Sequence, residues 1–354
     1  MKVLIAMSGG VDSSVAAKLL VDGGNECVGA TMKLYSDSDA GIVSNGHTCC
    51  SIDDVDDARR VALKLNIPYY VFNFKDGFKE KIIDKFINSY LSGVTPNPCI
   101  DCNRYMKFDK LFERAEALGC DHIATGHYVR REEVDGKFVL KKAVDKSKDQ
   151  SYVLYFLDQE RLSKLLFPLG DLEKSKTRAI AEASGFLNAA KPDSQDICFV
   201  PDGKYADAIE RLIGKTPPIG DYVDKSGNVL GKHKGITHYT LGQHKRLGLG
   251  KENKMFVVKI DAAKNTVTLG NEEDLYSKEC IVTDVNYVSG EAPSYPFRCK
   301  AKTRYRQEEQ PATVYECDEG IRIVFDQPQR AVTPGQSAVL YDGDIVLGGG
   351  TIKA

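Results

Sequence analysis

From residue 1 to about 200, short apolar runs alternate with stretches in which apolar residues recur every three or four positions. That is the pattern of parallel strands covered by crossover helices. Lys2 to Met7 predicts a buried first strand. Ser14 to Val21 places Val15, Ala16, Leu19 and Leu20 on one face ahead of Gly23-Gly24 and predicts an amphipathic helix. Cys27 to Leu34 reads as a second strand, Asp53 to Leu65 as an acidic-fronted helix capped by Ser51, and Tyr69 to Phe74 as a third strand. A helix over about 76–91 follows. Two prolines in Thr95-Pro96-Asn97-Pro98 demand an irregular loop, another helix runs from about Tyr105 to Leu118, and Asp121 to Tyr128 reads as a fourth parallel strand. Beyond about residue 205, β-like runs at Phe256 to Ile260, Thr266 to Leu269, Ala312 to Tyr315, Ile321 to Phe325 and Ala338 to Tyr341 are separated by turn residues. The expected organisation is an α/β unit with a doubly wound parallel sheet over 1–204, then two small β-rich domains, barrels or sandwiches, over 205–275 and 276–354, the last barrel-like.

Composition narrows the class. The chain has 354 residues, enough for two or three domains, and its longest apolar runs fall far short of the roughly 18 residues a membrane-spanning helix needs. With 48 Lys and Arg against 50 Asp and Glu, the net charge of −2 exerts no global pull on nucleic acid, so any such binding is local. The N-terminal apolar stretch is too short for a signal peptide, which points to the cytoplasm. In a reducing compartment the ten cysteines are thiols, to be read for catalysis or metal binding before disulfides.

Ser8-Gly9-Gly10-Val11-Asp12-Ser13-Ser14 sits between the first strand and its helix. Two glycines there let backbone N–H groups approach an anion at a positive helix end, and the serines add donors. The Gly-Lys-Ser/Thr ending of a Walker A loop is missing. Asp12 is a candidate Mg²⁺ ligand.

Cys99 and Cys102 form a Cys-x-x-Cys pair just after the proline-rich loop, and Cys198 lies in Asp193-Ser194-Gln195-Asp196-Ile197-Cys198-Phe199. Such a pair can be redox-active, half of a zinc site, or two small residues near a turn. Adjacent Cys49 and Cys50 suit a shared tetrahedral ligand set poorly. Cys27, Cys120, Cys280, Cys299 and Cys317 fall in or beside strand-like runs and are assigned to packing.

The phosphate loop resembles that of the ATP-pyrophosphatase group, which cleaves ATP to AMP and pyrophosphate. Together with Thr95-Pro-Asn-Pro-Cys-Ile-Asp-Cys-Asn103, Ala124-Thr-Gly-His-Tyr128, Lys148-Asp-Gln-Ser-Tyr152 and Ser194-Gln-Asp-Ile-Cys-Phe199, it makes the whole chain similar to the bacterial tRNA-specific 2-thiouridylases. The resemblance implies an adenine nucleotide α-hydrolase-like sheet and an enzyme that adenylates the C2 oxygen of the wobble uridine, position 34, and replaces it with persulfide sulfur. It implies that Cys198 carries the persulfide, that Cys102 is the second catalytic thiol, and that the two transiently form a disulfide. It places ATP on Ala6, Met7, Ser8, Gly9, Gly10, Val11, Asp12, Ser13, Met32 and Gly126, and the target base on Asn97, Pro98 and Cys99. His127, Lys148, Asp149, Gln150, Arg304, Tyr305 and Gln336 are implied to contact tRNA. Expected partners are tRNAs for glutamate, glutamine and lysine and a cysteine desulfurase or sulfur-relay protein. Position 99 departs from members that carry aspartate there. Cys99 is read as a substitute for that group, as a reserve for Cys102, or as a ligand with Cys102 and Cys198 of an iron–sulfur cluster.

Two basic segments bear on RNA. Gly231 to Lys259 holds seven Lys or Arg against Glu252 alone, interspersed with His233, His238 and His244. Residues 298, 300, 302, 304 and 306 are all basic with no acid between them, and period two aligns them on one strand face, which suits a polyanion. Competing readings are a small-molecule adenylating ligase or amidotransferase, which needs neither the thiols nor the basic β region, and a cysteine-metal RNA-binding module, which leaves the phosphate loop unexplained.

Overall fold

The computed structural model describes residues 1–35, 52–193, 197–200, 203–248 and 254–353; the Ser51 cap, Cys49-Cys50, Ser194 to Asp196 and Glu252 lie outside the described residues. Five parallel strands form the first sheet, in the spatial order Tyr69–Asn73, Glu26–Lys33, Lys2–Ala6, His122–Ala124, Leu165–Leu166. Val3, Leu4 and Ile5 are fully buried, as a strand covered on both faces requires. Helix Val11–Asp22 follows directly and buries Val11, Val15, Ala16 and Ala17; helix Ile52–Lys64 buries Ala58, Val61 and Ala62. The strand order reverses at Lys2–Ala6, so the crevice at its C-terminal end, between it and His122–Ala124, is where a doubly wound sheet takes ligands.

Two helical segments depart from expectation. The helix from Lys75 to Leu91 contains a π-helical turn at Lys79–Ile83. The next begins seven residues early, at Pro98, which occupies the first turn where its missing N–H costs nothing; it is π-helical over Cys102–Asp109 and α-helical to Ala117. Cys99 and Cys102 are therefore helical rather than in a loop. The fourth strand is shorter than expected, and a hairpin of Val129–Val134 and Lys137–Lys142 follows it.

The middle segment is one four-stranded sheet, ordered Phe256–Asp261, Thr266–Gly270, Gly220–Val223, Val229–His233, around a core of Tyr222, Tyr239, Val257, Val267 and Leu269. The last is a six-stranded barrel of Tyr276–Tyr287, Gly320–Arg330, Gln310–Cys317, Phe297–Lys302, Ser337–Asp342 and Ile345–Ile352, closed by antiparallel pairing of its first and last strands, with Val282 opposite Ile352. The 129–142 hairpin adds to this barrel through Lys141 opposite Ile345. Barrel residues Val339, Tyr341 and Val346 share one core with Leu140, Tyr152 and Leu154, and Tyr152 donates to the Ser337 carbonyl at 2.7 Å. The barrel is thereby fixed against the parallel-sheet unit.

Burial sets a pH dependence. His122, His127 and His233 are all held below the usual imidazole range, desolvation being the largest cause in each. Below about pH 6.5 the unfolded chain takes up protons that these buried rings resist, so stability falls as pH drops through that value toward the depressed folded ones. Melting temperatures should decline from pH 7.5 to pH 5.5; a flat or rising profile counts against the burial argument.

Candidate functional site

The turn after Lys2–Ala6 is held from several directions. Gly9 has φ of +76°, and a Cβ on it would lie 2.3 Å from the Asp54 carbonyl oxygen, so only glycine fits. Ser13 Oγ accepts from the Ser8 N–H at 3.1 Å and donates to the Gly10 carbonyl at 3.1 Å; Ser14 Oγ donates to the same carbonyl at 2.9 Å. Gly126, just past the fourth strand, lies flat against the turn: a Cβ there would be 2.8 Å from Ser13 N and 2.9 Å from Asp12 C. Sequence reasoning missed Asn188, whose side-chain amide donates to Gly9 O at 2.8 Å and Ser14 Oγ at 3.0 Å. Met7 and Val11 are buried beneath the turn, Ser8 is exposed, and Ala6 and Met32 are half-buried against the core.

Asp12 is not an open carboxylate. Lys174 Nζ reaches its two oxygens at 2.6 and 2.8 Å, and the Tyr128 hydroxyl donates to Oδ1 at 2.9 Å. Lys174 also pairs with Asp193 at 2.8 Å, and Asp193 in turn with Lys148 at 2.8 Å and Arg178 at 3.0 Å. Burial pushes the Asp193 carboxyl upward, but hydrogen bonds from Lys148 and Lys174 outweigh it and hold the group below its usual range. Both Asp12 oxygens, the carboxylate read as a Mg²⁺ ligand, accept from Lys174, and no step is assigned to the ion.

Both thiol segments border this end of the sheet. The Tyr35 hydroxyl, two residues beyond strand Glu26–Lys33, donates to the Cys198 carbonyl at 2.7 Å, and Phe199 packs edge-on against Phe78 and Phe86. The helix carrying Cys102 meets the end of the fourth strand, where the Phe108 and His127 rings lie 6.1 Å apart. Cys102 and Cys198 are half-buried thiols on the rim of one apolar core, while Cys99 is exposed on the barrel side, near Tyr305. The early helix start puts Cys99 and Cys102 in the first turns of the helix. Gln336 in the barrel donates to the Thr95 and Pro96 carbonyls at 2.9 and 3.1 Å and so fixes the segment leading to half-buried Asn97 and buried Pro98.

Residues 1–202 match the family described as the tRNA methyl transferase HUP domain, residues 206–271 the tRNA methyl transferase PRC-barrel domain, and residues 277–352 the aminomethyltransferase β-barrel domain. The tRNA-specific 2-thiouridylase MnmA of Clostridioides difficile is 51% identical over 355 residues, spanning 99% of this chain and 98% of that protein. The protein of that name from Acetivibrio thermocellus is 51% identical over 357 residues, spanning 99% of both chains. The chain belongs to the tRNA-specific 2-thiouridylase family.

Within this 2-thiouridylase, the residues expected to meet tRNA are differently committed. His127 is buried, its Nδ1 2.8 Å from Thr125 Oγ1, and burial holds it well below the usual imidazole range, hence neutral. Asp149 accepts from the Ser151 hydroxyl at 2.7 Å and Gln150 Oε1 accepts from the Tyr128 N–H at 2.9 Å. Tyr305 is 39% exposed, and its hydroxyl donates to the Asp149 carbonyl at 3.2 Å beside the Lys302 ammonium. The expectation of five aligned basic side chains is corrected: the strand ends at Lys302, so Arg304 and Arg306 leave its face in a turn, and Arg298 is paired bidentately with Asp326 at 2.7 Å. Arg304 donates instead to Leu241 O, Ala331 O and Thr333 Oγ1, joining the middle segment to the barrel. Removing those bonds should cost about 1–3 kcal/mol, so Arg304→Ala should lower the melting temperature by several degrees; an unchanged melt would show the guanidinium to be a surface group. Two of the three histidines of the first basic segment are also internally engaged, His233 with Asn265 O at 3.0 Å and His238 with Glu210 at 2.9 Å, while His244 is exposed.

The iron–sulfur reading is withdrawn. Among the described residues no group of three His, Cys, Asp or Glu side chains is placed to hold a metal ion. Of the five cysteines assigned to packing, burial pushes Cys27 and Cys120 up, and Cys280 and Cys299 up to about 12, while Cys317 is half-buried. No helix of the described residues is long and apolar enough to cross a membrane.

Proposed function

We infer that the protein is an ATP-dependent tRNA-uridine 2-sulfurtransferase acting on the wobble position. The observation that carries the reading is the anion-binding turn seated on Gly126 at the strand-order reversal, with the Cys102 and Cys198 segments bordering the same end of the sheet, in a chain about half identical to named 2-thiouridylases along its whole length. The uridine C2 oxygen attacks the α-phosphate of ATP and pyrophosphate leaves, converting a poor leaving group into AMP. The outer sulfur of a Cys198 persulfide then attacks C2 and AMP departs, leaving C2 joined to Cys198 through a disulfide. The Cys102 thiolate attacks Cys198 Sγ, a Cys102–Cys198 disulfide forms, and 2-thiouridine is released. An external thiol reductant restores both cysteines.

Asn97, Pro98 and Cys99 line the approach to the base, and exposed Tyr305 offers a stacking face. Buried neutral His127 shapes the pocket floor, and Lys148 meets backbone phosphate by leaving Asp193. The substrates are tRNAs for glutamate, glutamine and lysine, and a cysteine desulfurase, directly or through a relay protein, loads the persulfide. Incubating the purified protein with ATP, persulfide donor and bulk tRNA should give tRNA-dependent pyrophosphate release and 2-thiouridine by mass spectrometry of digested RNA. Pyrophosphate release that ignores tRNA, with unmodified RNA, would point to the small-molecule ligase.

A further inference from the structure

The phosphate loop has a charge problem. ATP brings a polyanion to a turn whose own sequence contains an aspartate and no lysine, and the next lysine along, Lys18, is turned away to Asp22, with Nζ 2.6 Å from Oδ1. A cation must come from another element. Lys174 is 8% exposed, at the start of helix Lys174–Ala183, which lies against helix Val11–Asp22. Its backbone N–H is fixed by Asp145 Oδ2 at 3.0 Å, and its ammonium lies 5.7 Å from the Tyr128 ring centroid as well as on Asp12.

We propose that Lys174 is a further catalytic residue of this enzyme, binding the β- and γ-phosphates of ATP and neutralising the departing pyrophosphate. This rests on the sulfurtransferase reading for the identity of the acceptor. Two facts favour it over a purely structural ion pair. First, the Lys174 ammonium bridges the Asp12 and Asp193 carboxylates beside the N-terminus of helix Val11–Asp22, at the mouth of the turn where nucleotide phosphates would lie. Second, Asp193 is also paired with Arg178, so it keeps a cationic partner when Lys174 turns to a phosphate, even with Lys148 drawn to the RNA. A preorganised ammonium aimed at developing negative charge is the arrangement that accelerates displacement at phosphorus. No atom of the enzyme changes bonding: charge on the bridging oxygen grows as the α-phosphate is attacked and is met by the Lys174 Nζ–H donors.

The test compares Lys174→Met and Lys174→Gln with the wild type. Each variant should lose its preference for ATP over AMP by about tenfold or more, the size of a lost charge-assisted hydrogen bond, and tRNA-dependent pyrophosphate release should fall about 100-fold. AMP affinity, tRNA affinity and the melting temperature should stay near wild type. Wild-type ATP:AMP discrimination in either variant overturns the proposal, as does loss of AMP binding or early melting in both, which marks a structural role. If the wild type itself releases pyrophosphate without regard to tRNA, the sulfurtransferase reading fails, and the ATP:AMP ratio still decides the role of Lys174.

Discussion

Cys198→Ser should release pyrophosphate in the presence of tRNA at a rate within about threefold of wild type yet transfer no sulfur, a loss of thiolation on the order of 1,000-fold or more. A serine hydroxyl cannot carry sulfane sulfur, whereas the residues proposed to hold ATP lie on other elements: the turn at 8–14 and Gly126, with Asn188 bracing the turn. Position 198 is tied to the sheet through its backbone carbonyl and Tyr35, a bond the substitution leaves in place. The partner experiment separates the two thiols. With Cys102 and its helical neighbour Cys99 both changed to Ser, the resolving step is lost, and tRNA should accumulate joined to Cys198 through a bond that dithiothreitol cleaves to yield 2-thiouridine. Changing both matters because the helix places them three residues apart in its first turns, close enough for one to replace the other. Undiminished thiolation by Cys198→Ser, or no reductant-labile adduct in the double variant, would remove these assignments.

The parallel sheet was legible because its strands are continuous apolar runs punctuated by glycine or proline, and Val3, Leu4 and Ile5 are fully buried in it. The hairpin at 129–142 escaped notice although its signal was present: Asp135-Gly136, both at positive φ, is the two-residue turn that suits twisted strands. Its strands are rich in Arg, Glu and Lys, so little apolar alternation marks them. The helix starts at Pro98 rather than near Tyr105 because proline, a breaker inside a helix, suits its first turn. In the site, residues within contiguous motifs could be found from sequence, whereas Lys174, Asn188 and Thr177 could not. Each acts on the turn, or on the Tyr128–Asp12 pair, across more than 45 residues of chain, and nothing in a lone lysine or asparagine announces such a contact. The basic run at 298–306 misled in the opposite way, because the acid that answers Arg298 comes from a different strand, at Asp326.

Gly126→Ala should lower kcat/KM for ATP about 100-fold while leaving tRNA affinity within about twofold. The added methyl would sit 2.8 Å from Ser13 N, 2.9 Å from Asp12 C and 3.1 Å from Ser13 Cα, and all three are backbone atoms that cannot rotate aside. The turn must therefore shift by several tenths of an ångström, which misdirects the N–H groups that receive phosphate and strains the Ser13 Oγ bridge between Ser8 and Gly10. Gly9→Ala should be worse, since it adds a left-handed penalty of about 1–2 kcal/mol to an overlap of 2.3 Å with the Asp54 carbonyl oxygen. Neither change touches the barrel or its contacts with the 95–96 segment, so RNA binding is the internal control. Steady-state kinetics with ATP varied at saturating tRNA, alongside filter binding, reads both; kcat/KM within threefold of wild type for Gly126→Ala would mean that the turn tolerates displacement. Gly10→Ala separates the remaining cause. Beyond its chain neighbours, a Cβ at position 10 would meet Ser8 Oγ at 3.5 Å, an ordinary van der Waals contact, and its φ of −83° is ordinary for alanine, so any loss of ATP use there reports crowding of the nucleotide itself rather than distortion of the loop that holds it.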